Sequence, residues 1–224
     1  MIDQSEFLSW KQELNEKGVQ LVAVSKVHPA EKIMTLYKWG HRDFGENKVQ
    51  ELVNKYQELP KDIQWHLIGH LQRNKVKDIV AFVALIHAVD SERLLNKIEK
   101  EAAKLDRRVP ILLQLKIAEE ESKYGLNKEQ LISLSTKIAG REYPHIQLKG
   151  LMGMASFTDD KEQVRREFSE LKAMFDFLKK DIFSEIDAFN LCSMGMSGDY
   201  KIAMEQGSNM IRVGSSIFGP RPAH

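Results

Sequence analysis

Cysteine is almost absent from this chain of 224 residues, in which Cys192 is the only one. A single cysteine forms neither an intramolecular disulfide nor a multi-thiolate metal site, which excludes a disulfide-stabilised secreted scaffold. An excess of charge of one sign is also lacking, because 33 basic and 32 acidic side chains leave a formal net charge of +1. We therefore expect no general electrostatic attraction to nucleic acid or to an anionic membrane.

Long apolar runs and a basic leader are missing as well. No apolar stretch approaches about 18 residues, the length that indicates a membrane-spanning helix. The N-terminal residues include the acidic Asp3 where a signal peptide has a basic region. Together with the cysteine usage, this predicts a cytoplasmic protein. The seven histidines are scattered without the spacing of a zinc site, so we expect no metal.

A regular alternation of short β-type runs and longer segments of helical period extends along the whole chain. We find no linker and predict one domain over residues 1–224. The predicted strands are 20–25, 41–44, 64–68, 85–89, 110–117, 146–152, 188–193 and 209–213. The predicted helices are 3–17, 30–39, 46–58, 73–81, 91–106, 127–139, 160–180 and 199–206.

Eight strands in strict alternation with helices favour a closed (β/α)8 TIM barrel, with an extra helix before the first strand. An open doubly wound sheet of five or six strands is the weaker alternative. A barrel of this kind carries its chemistry at the C-terminal ends of its strands. Side chains that directly follow the apolar runs are therefore the candidates for a site.

Lys26 closes the first predicted strand, behind the mostly apolar segment 21–25. Desolvation disfavours an ammonium ion, and the neutral amine is the form that attacks an aldehyde to give an imine. A solvated lysine that happens to end a strand is the alternative interpretation. Taken alone, this residue is weak evidence for a nucleophile.

Small residues and hydroxyls follow the last two predicted strands, in segments 193–199 and 212–216. Ser197, Gly214 and Ser215 are the candidate phosphate-binding residues. Backbone N–H groups at a helix N-terminus, helped by the two hydroxyls, can hold a dianion without a lysine cluster. Ordinary glycine-rich loops are the alternative for either segment, but their joint position after strands seven and eight favours a phosphate site.

A lysine nucleophile and a phosphate site in one barrel mouth suggest two classes of protein. One is a sugar-phosphate aldolase that forms a Schiff base with its substrate, and the other is a pyridoxal phosphate protein. Arg212, two residues before Gly214, would point into the mouth near where a pyridine nitrogen would lie. A salt bridge at the barrel rim is its alternative role.

Five ordered blocks of sequence closely resemble those of the pyridoxal phosphate homeostasis proteins, which are related to the N-terminal barrel of alanine racemase. Two local departures are Val27, where many members have Thr, and Leu67, where Phe or Met is common. The blocks are Ala23-Val24-Ser25-Lys26, Phe44-Gly45-Glu46-Asn47, residues 65–75, residues 193–199, and residues 211–214 continuing through Phe218-Gly219.

The resemblance implies that pyridoxal 5′-phosphate is bound covalently as an internal aldimine on Lys26. It also implies that Arg212 faces the pyridine nitrogen, that Asn47 neighbours the ring, and that Ser197, Gly214 and Ser215 bind the phosphate. His66 and His70, within the distinctive block 65–75, are not assigned to the site, because a histidine in a barrel strand is more often a structural, hydrogen-bonded one.

An arginine at the pyridine nitrogen has a mechanistic consequence. A guanidinium stays protonated and cannot accept a proton, so the ring nitrogen stays unprotonated and the ring is a poor electron sink. Alanine racemase tolerates this arginine but takes a second base from an additional domain, for which this chain is too short. We therefore expect a protein that stores, protects or delivers pyridoxal phosphate and has little or no catalytic turnover. Apoenzymes that depend on this cofactor are the expected recipients.

A small racemase or related amino-acid enzyme with the same cofactor is the first alternative, and a cofactor-free aldolase is the second. The tyrosines that could supply a second base are Tyr124 and Tyr200, on loops whose position the sequence does not determine.

Overall fold

Eight parallel strands form a closed barrel in the computed structural model, which describes residues 1–120 and 124–220. The strands are β1 (Gln20–Val24), β2 (Asp43–Glu46), β3 (Gln64–Leu67), β4 (Leu85–Val89), β5 (Val109–Gln114), β6 (Ile146–Met152), β7 (Leu191–Ser193) and β8 (Met210–Val213). Each strand pairs with the next along the chain, and β8 closes the barrel by pairing with β1. The predicted (β/α)8 TIM barrel is confirmed, and so is the extra N-terminal helix.

Helices surround the barrel and connect its strands. The longest has 21 residues but many charged side chains, and no helix of the described ranges has the length and apolar character needed to cross a bilayer. The helices are α1 (Gln4–Glu16), α2 (Ala30–Lys38), α3 (Val49–Glu58), a 3-10 turn (Arg73–Lys75), α4 (Val76–Ile79), α5 (Glu92–Ala103), α6 (Lys128–Ala139), α7 (Lys161–Asp181), α8 (Tyr200–Glu205) and α9 (Ser215–Phe218).

Local hydrogen bonds explain where the observed boundaries differ from the predicted ones. The second strand begins later than the predicted 41–44, because the His41 N–H donates to the Leu36 carbonyl at 3.0 Å and still belongs to the end of α2. The seventh strand also begins later, because Phe189 N–H donates to the Ile186 carbonyl at 3.1 Å in a turn. The short α9 is absent from the prediction.

Side-chain caps begin three of the helices at the predicted places. Ser91 caps α5, and Asp160 accepts two backbone N–H bonds at the start of α7. Asn127 and Gln130 form a reciprocal capping box at the start of α6. These side chains satisfy N–H groups that have no partner within a helix, and each contributes about 0.5–2 kcal/mol to stability.

Alternation along each strand separates two buried regions. Ile211 and Val213 of β8 belong to the large core between barrel and helices, whereas Met210 and Arg212 are on the opposite, inner face. A small apolar cluster occupies that inner face. Its buried members are Val22, Leu85, Ala88, Leu112, Met152 and Met210.

Gly150 is required where β6 meets β7. Its φ of +152° is rarely adopted by other residues, and a Cβ there would lie 1.8 Å from the Leu191 carbonyl oxygen. We therefore expect Gly150→Ala to lower the free energy of unfolding by about 3–5 kcal/mol through strain and overpacking.

Urea unfolding followed by circular dichroism measures this loss. Gly198→Ala is the matched control, because a Cβ at Gly198 meets nothing within 4 Å. The control should change the stability by less than about 1 kcal/mol. Equal unfolding midpoints for the two variants would contradict the requirement at Gly150.

Candidate functional site

A cavity of about 540 Å³ opens at the C-terminal ends of the barrel strands. This is the end at which barrels of this fold carry their sites. All the residues predicted from the sequence for the site contribute to its lining, although they come from both ends of the chain. They are Lys26, Asn47, Ser197, Arg212, Gly214 and Ser215.

Lys26 lies two residues beyond the end of β1 and is half-buried. The preceding Ser25 is fully buried, and the following Val27 has a φ of 62°. A positive φ at a β-branched residue is unusual and indicates a sharply constrained turn. The backbone at Lys26 is therefore constrained, and the lysine side chain forms part of the cavity wall.

The two loops predicted to bind phosphate contact each other. The Gly214 N–H donates to the Ser197 hydroxyl oxygen at 3.3 Å, which joins the loop after β7 to the loop after β8. The helix α9 begins at Ser215, and among residues 1–120 and 124–220 no protein acceptor pairs with the backbone N–H groups of Ser215 and Ser216. Unpaired N–H groups in a first helical turn, beside serine hydroxyls, suit an anionic group.

Arg212 is buried on the inner face of β8, with 3% of its surface exposed. Its Nη1 donates to Ser193 Oγ at 2.6 Å and its Nη2 to the Gly153 carbonyl at 3.2 Å. Burial lowers the pKa of Arg212 to about 10, so the guanidinium remains charged at neutral pH. Its hydrogen-bond partners are a neutral hydroxyl and a carbonyl, and the charge of Asp199, which also lines the cavity, partly offsets its own, so the guanidinium is suited to a polar acceptor in the cavity.

A chain of polar side chains inside the barrel continues behind Arg212. Ser193 Oγ lies 3.4 Å from His87 Nδ1, and His87 Nε2 lies 2.9 Å from His66 Nδ1. His66 Nε2 reaches Asp43 Oδ1 at 3.1 Å. Burial lowers the pKa of His87 well below its usual value, so its imidazole is neutral and does not repel the guanidinium. The structure thus gives His66 a structural, hydrogen-bonded place in the barrel interior.

Asn47 is held at the cavity by the block 65–75. A Cβ at Gly69 would lie 2.4 Å from the Asn47 backbone oxygen, so only glycine lets the two backbones approach so closely. The next residue, His70, is also on the cavity wall and stacks on Tyr124 with ring centroids 4.8 Å apart. This block therefore builds one side of the site.

Several lining residues are not among the predicted ones, including His28, His70, Gln114 and Tyr124. Gln114 is the last residue of β5, and its Nε2 donates to the Tyr124 carbonyl at 2.8 Å. Gln114 lies inside the predicted strand 110–117, so the strand-end rule could not have found it from the sequence. The position of Tyr124 was not predictable, because it lies on a long connection. Tyr200 packs against Trp10 and does not line the cavity.

Comparison with known proteins places this chain within a family. Residues 7–222 match the family model described as the alanine racemase N-terminal domain. The pyridoxal phosphate homeostasis protein of Schizosaccharomyces pombe is 36% identical over 214 residues, which cover 95% of this chain and 88% of that protein. A protein of that name from Helicobacter pylori is 38% identical over 202 residues, or 89% of this chain and 87% of its own length.

Solved structures agree with this relationship. PipY of Synechococcus elongatus with pyridoxal phosphate bound is 32% identical and has a TM-score of 0.86, with 97% of this chain and 100% of PipY covered. Alanine racemases, such as the Streptomyces lavendulae enzyme, share the fold at a TM-score of 0.76 but only 14% identity, and 94% of this chain spans 56% of that enzyme. The chain belongs to the alanine racemase N-terminal domain family and, within it, to the pyridoxal phosphate homeostasis proteins.

Proposed function

We propose that this protein binds pyridoxal 5′-phosphate in the barrel cavity and stores, protects or delivers it within the cell. The observation that carries the proposal is the convergence of Lys26, Arg212 and the Ser197–Gly214 contact on one cavity. An amine can condense with an aldehyde, a guanidinium can donate to a pyridine nitrogen, and an anion-binding loop can hold a phosphate. The names of the relatives and the cofactor bound in PipY support the same conclusion.

Lys26 is the residue we propose for covalent attachment. Condensation joins its Nζ to the aldehyde carbon and releases one water molecule, provided that the amine is neutral. The constrained turn at Val27 limits the directions that the lysine side chain can take from the end of β1. Asn47, held against Gly69, would contact the ring or its substituents.

The phosphate would be held mainly by uncharged donors. Ser197 and Ser215 supply hydroxyls at the cavity, and the N–H groups of Ser215 and Ser216 lie in the first turn of α9. Hydrogen bonds to a charged acceptor are each worth about 1.5–3 kcal/mol. A cup of this kind can hold a dianion firmly without an ion pair.

Arg212 determines what the bound cofactor is suited for. With a pKa of about 10 it stays protonated, so it would donate to a ring nitrogen rather than accept a proton from it. The ring then stabilises negative charge at the substrate carbon weakly, which suits a carrier better than a transaminase. Delivery to apoenzymes is the partner interaction that we propose.

Racemisation of amino acids is the second candidate function. It is favoured by one observation, the presence of the Tyr124 ring on the cavity wall with 63% of the residue exposed. Racemisation requires two groups on opposite faces of the substrate carbon, and Lys26 would supply only one of them. Tyr124 is the residue that could supply the other.

Substitution of Lys26 tests the covalent attachment. Purified protein should show a visible absorbance band that borohydride removes, and Lys26→Ala should lose the band while keeping its circular dichroism spectrum. Lys38→Ala, an exposed lysine of α2, is the control and should keep the band. A reducible band in Lys26→Ala would refute the assignment, and its absence from the unsubstituted protein would favour the cofactor-free aldolase.

Removal of the phosphate from the ligand tests the proposed cup. Pyridoxal should bind at least about a hundredfold more weakly than pyridoxal phosphate, because several charge-assisted hydrogen bonds are lost. Ser197→Ala should weaken the binding of pyridoxal phosphate and leave that of pyridoxal unchanged. Equal affinities for the two compounds in a titration would show that the phosphate is bound elsewhere.

Turnover measurements separate the carrier from the racemase. The protein loaded with cofactor should convert common amino acids far below the usual enzyme range of about 1–10³ per second. It should nevertheless activate a pyridoxal phosphate-dependent apoenzyme when the two are mixed. A robust racemase activity that disappears in both Lys26→Ala and Tyr124→Phe would establish the second candidate.

A further inference from the structure

A buried cluster of charges lies behind Lys26, on the side away from the cavity. Glu46, the last residue of β2, is 0% exposed, and Lys55 of α3 is 7% exposed. The Lys55 ammonium donates to Glu46 Oε1 at 2.7 Å and to Glu51 Oε1 at 2.7 Å. None of these three residues lines the cavity. A buried charge is retained at a considerable desolvation cost, so the cluster calls for an explanation.

The cluster holds the backbone on both sides of Lys26. On the N-terminal side, Lys55 Nζ donates to the Ser25 carbonyl at 2.8 Å, and the Ser25 hydroxyl donates to Glu46 Oε1 at 2.6 Å. On the C-terminal side, the Val27 N–H donates to Glu51 Oε1 at 2.7 Å. The cluster therefore binds both neighbours of the lysine in sequence.

The conformation that it holds is an unfavourable one. Val27 has a φ of 62°, in the left-handed region that β-branched residues rarely adopt, and its side chain gains little from burial because the residue is 41% exposed. Such strain persists only where the surroundings impose it. Two hydrogen bonds hold it here: the Val27 N–H donates to Glu51, and the His28 N–H donates to the Ser25 carbonyl at 3.1 Å across the turn.

Glu46 also connects the cluster to the other side of the cavity. It directly precedes Asn47, whose backbone packs against Gly69. Burial raises the pKa of Glu46 to about 7, although the bonds from Lys55 and Ser25 oppose the rise. The ionised form of this carboxyl group is therefore stabilised by the ammonium of Lys55.

We propose that Glu46, Glu51 and Lys55 are positioning residues that hold the turn 25–27 in its strained form, so that the Lys26 amine is directed at the aldehyde of the ligand. This inference rests on the proposed function, because it assumes covalent attachment at Lys26. In this arrangement the cluster favours the covalent bond and leaves the non-covalent contacts of phosphate and ring unchanged. The effect of the cluster on covalent attachment can thus be measured separately from non-covalent binding of the ligand.

Lys55→Met tests this separation. The equilibrium constant for covalent attachment of pyridoxal phosphate, measured by borohydride trapping and intact mass over a titration, should fall at least about tenfold. The affinity for pyridoxamine 5′-phosphate, which has the same ring and phosphate but no aldehyde, should stay unchanged in calorimetry. Lys38→Met, at an exposed site on α2, is the matched control and should change neither quantity.

Glu51→Ala tests the same turn without leaving a buried charge unpaired. It removes the acceptor of the Val27 N–H, and its side chain is already 23% exposed. The covalent equilibrium constant should fall as well, and it should fall less in a Val27→Gly background, because glycine adopts a φ of 62° without strain. A positioning role predicts this rescue, whereas general structural damage does not.

Two results would overturn the inference alone. The first is an unchanged covalent equilibrium constant in both Lys55→Met and Glu51→Ala, and the second is a parallel loss of affinity for pyridoxamine phosphate in both. Failure of the unsubstituted protein to form any adduct at Lys26 would instead contradict the proposed function itself. The two failures are therefore distinguishable in one set of titrations.

Discussion

Pairing between β1 and β8 is the constraint on which the cavity depends. These strands lie near opposite ends of the chain, yet their parallel register sets Val22 beside Arg212 and Ala23 beside Val213. Because both strands run in the same direction, the segments that follow them emerge at the same rim. Lys26 and the start of α9 therefore become neighbours as soon as the barrel closes.

The two buried cations near this rim have different surroundings. Arg212 is buried against a hydroxyl and a carbonyl, with neutral His87 behind it and the carboxylate of Asp199 on the same cavity wall. Behind Lys26, by contrast, the ammonium of Lys55 is hydrogen-bonded to two carboxylates and a carbonyl. The barrel thus places one cation at the cavity and uses another to hold its own backbone.

Much of the fold and of the site could be predicted because the relevant signals are local. Periodicity identified the strands, and the side-chain caps Ser91 and Asp160 lie where predicted helices begin, since each effect operates within a few residues. The four-residue α9 has no such signal. The pairing of Glu46 with Lys55 could not be predicted either, because the sequence does not distinguish a buried glutamate and lysine from solvent-exposed ones.

By itself the sequence determined the alternation of strands and helices, and with it the strand ends at which Lys26, Asn47 and Arg212 stand. The strand ends are sufficient to predict where the site lies, because side chains at the C-terminal ends of parallel barrel strands share one rim. Only the tertiary structure decided which side chains face the cavity, as His70 and Tyr124 do, and which lie behind it, as Glu46 does. Burial and hydrogen bonding between distant segments make that choice, and neither is expressed in a local pattern.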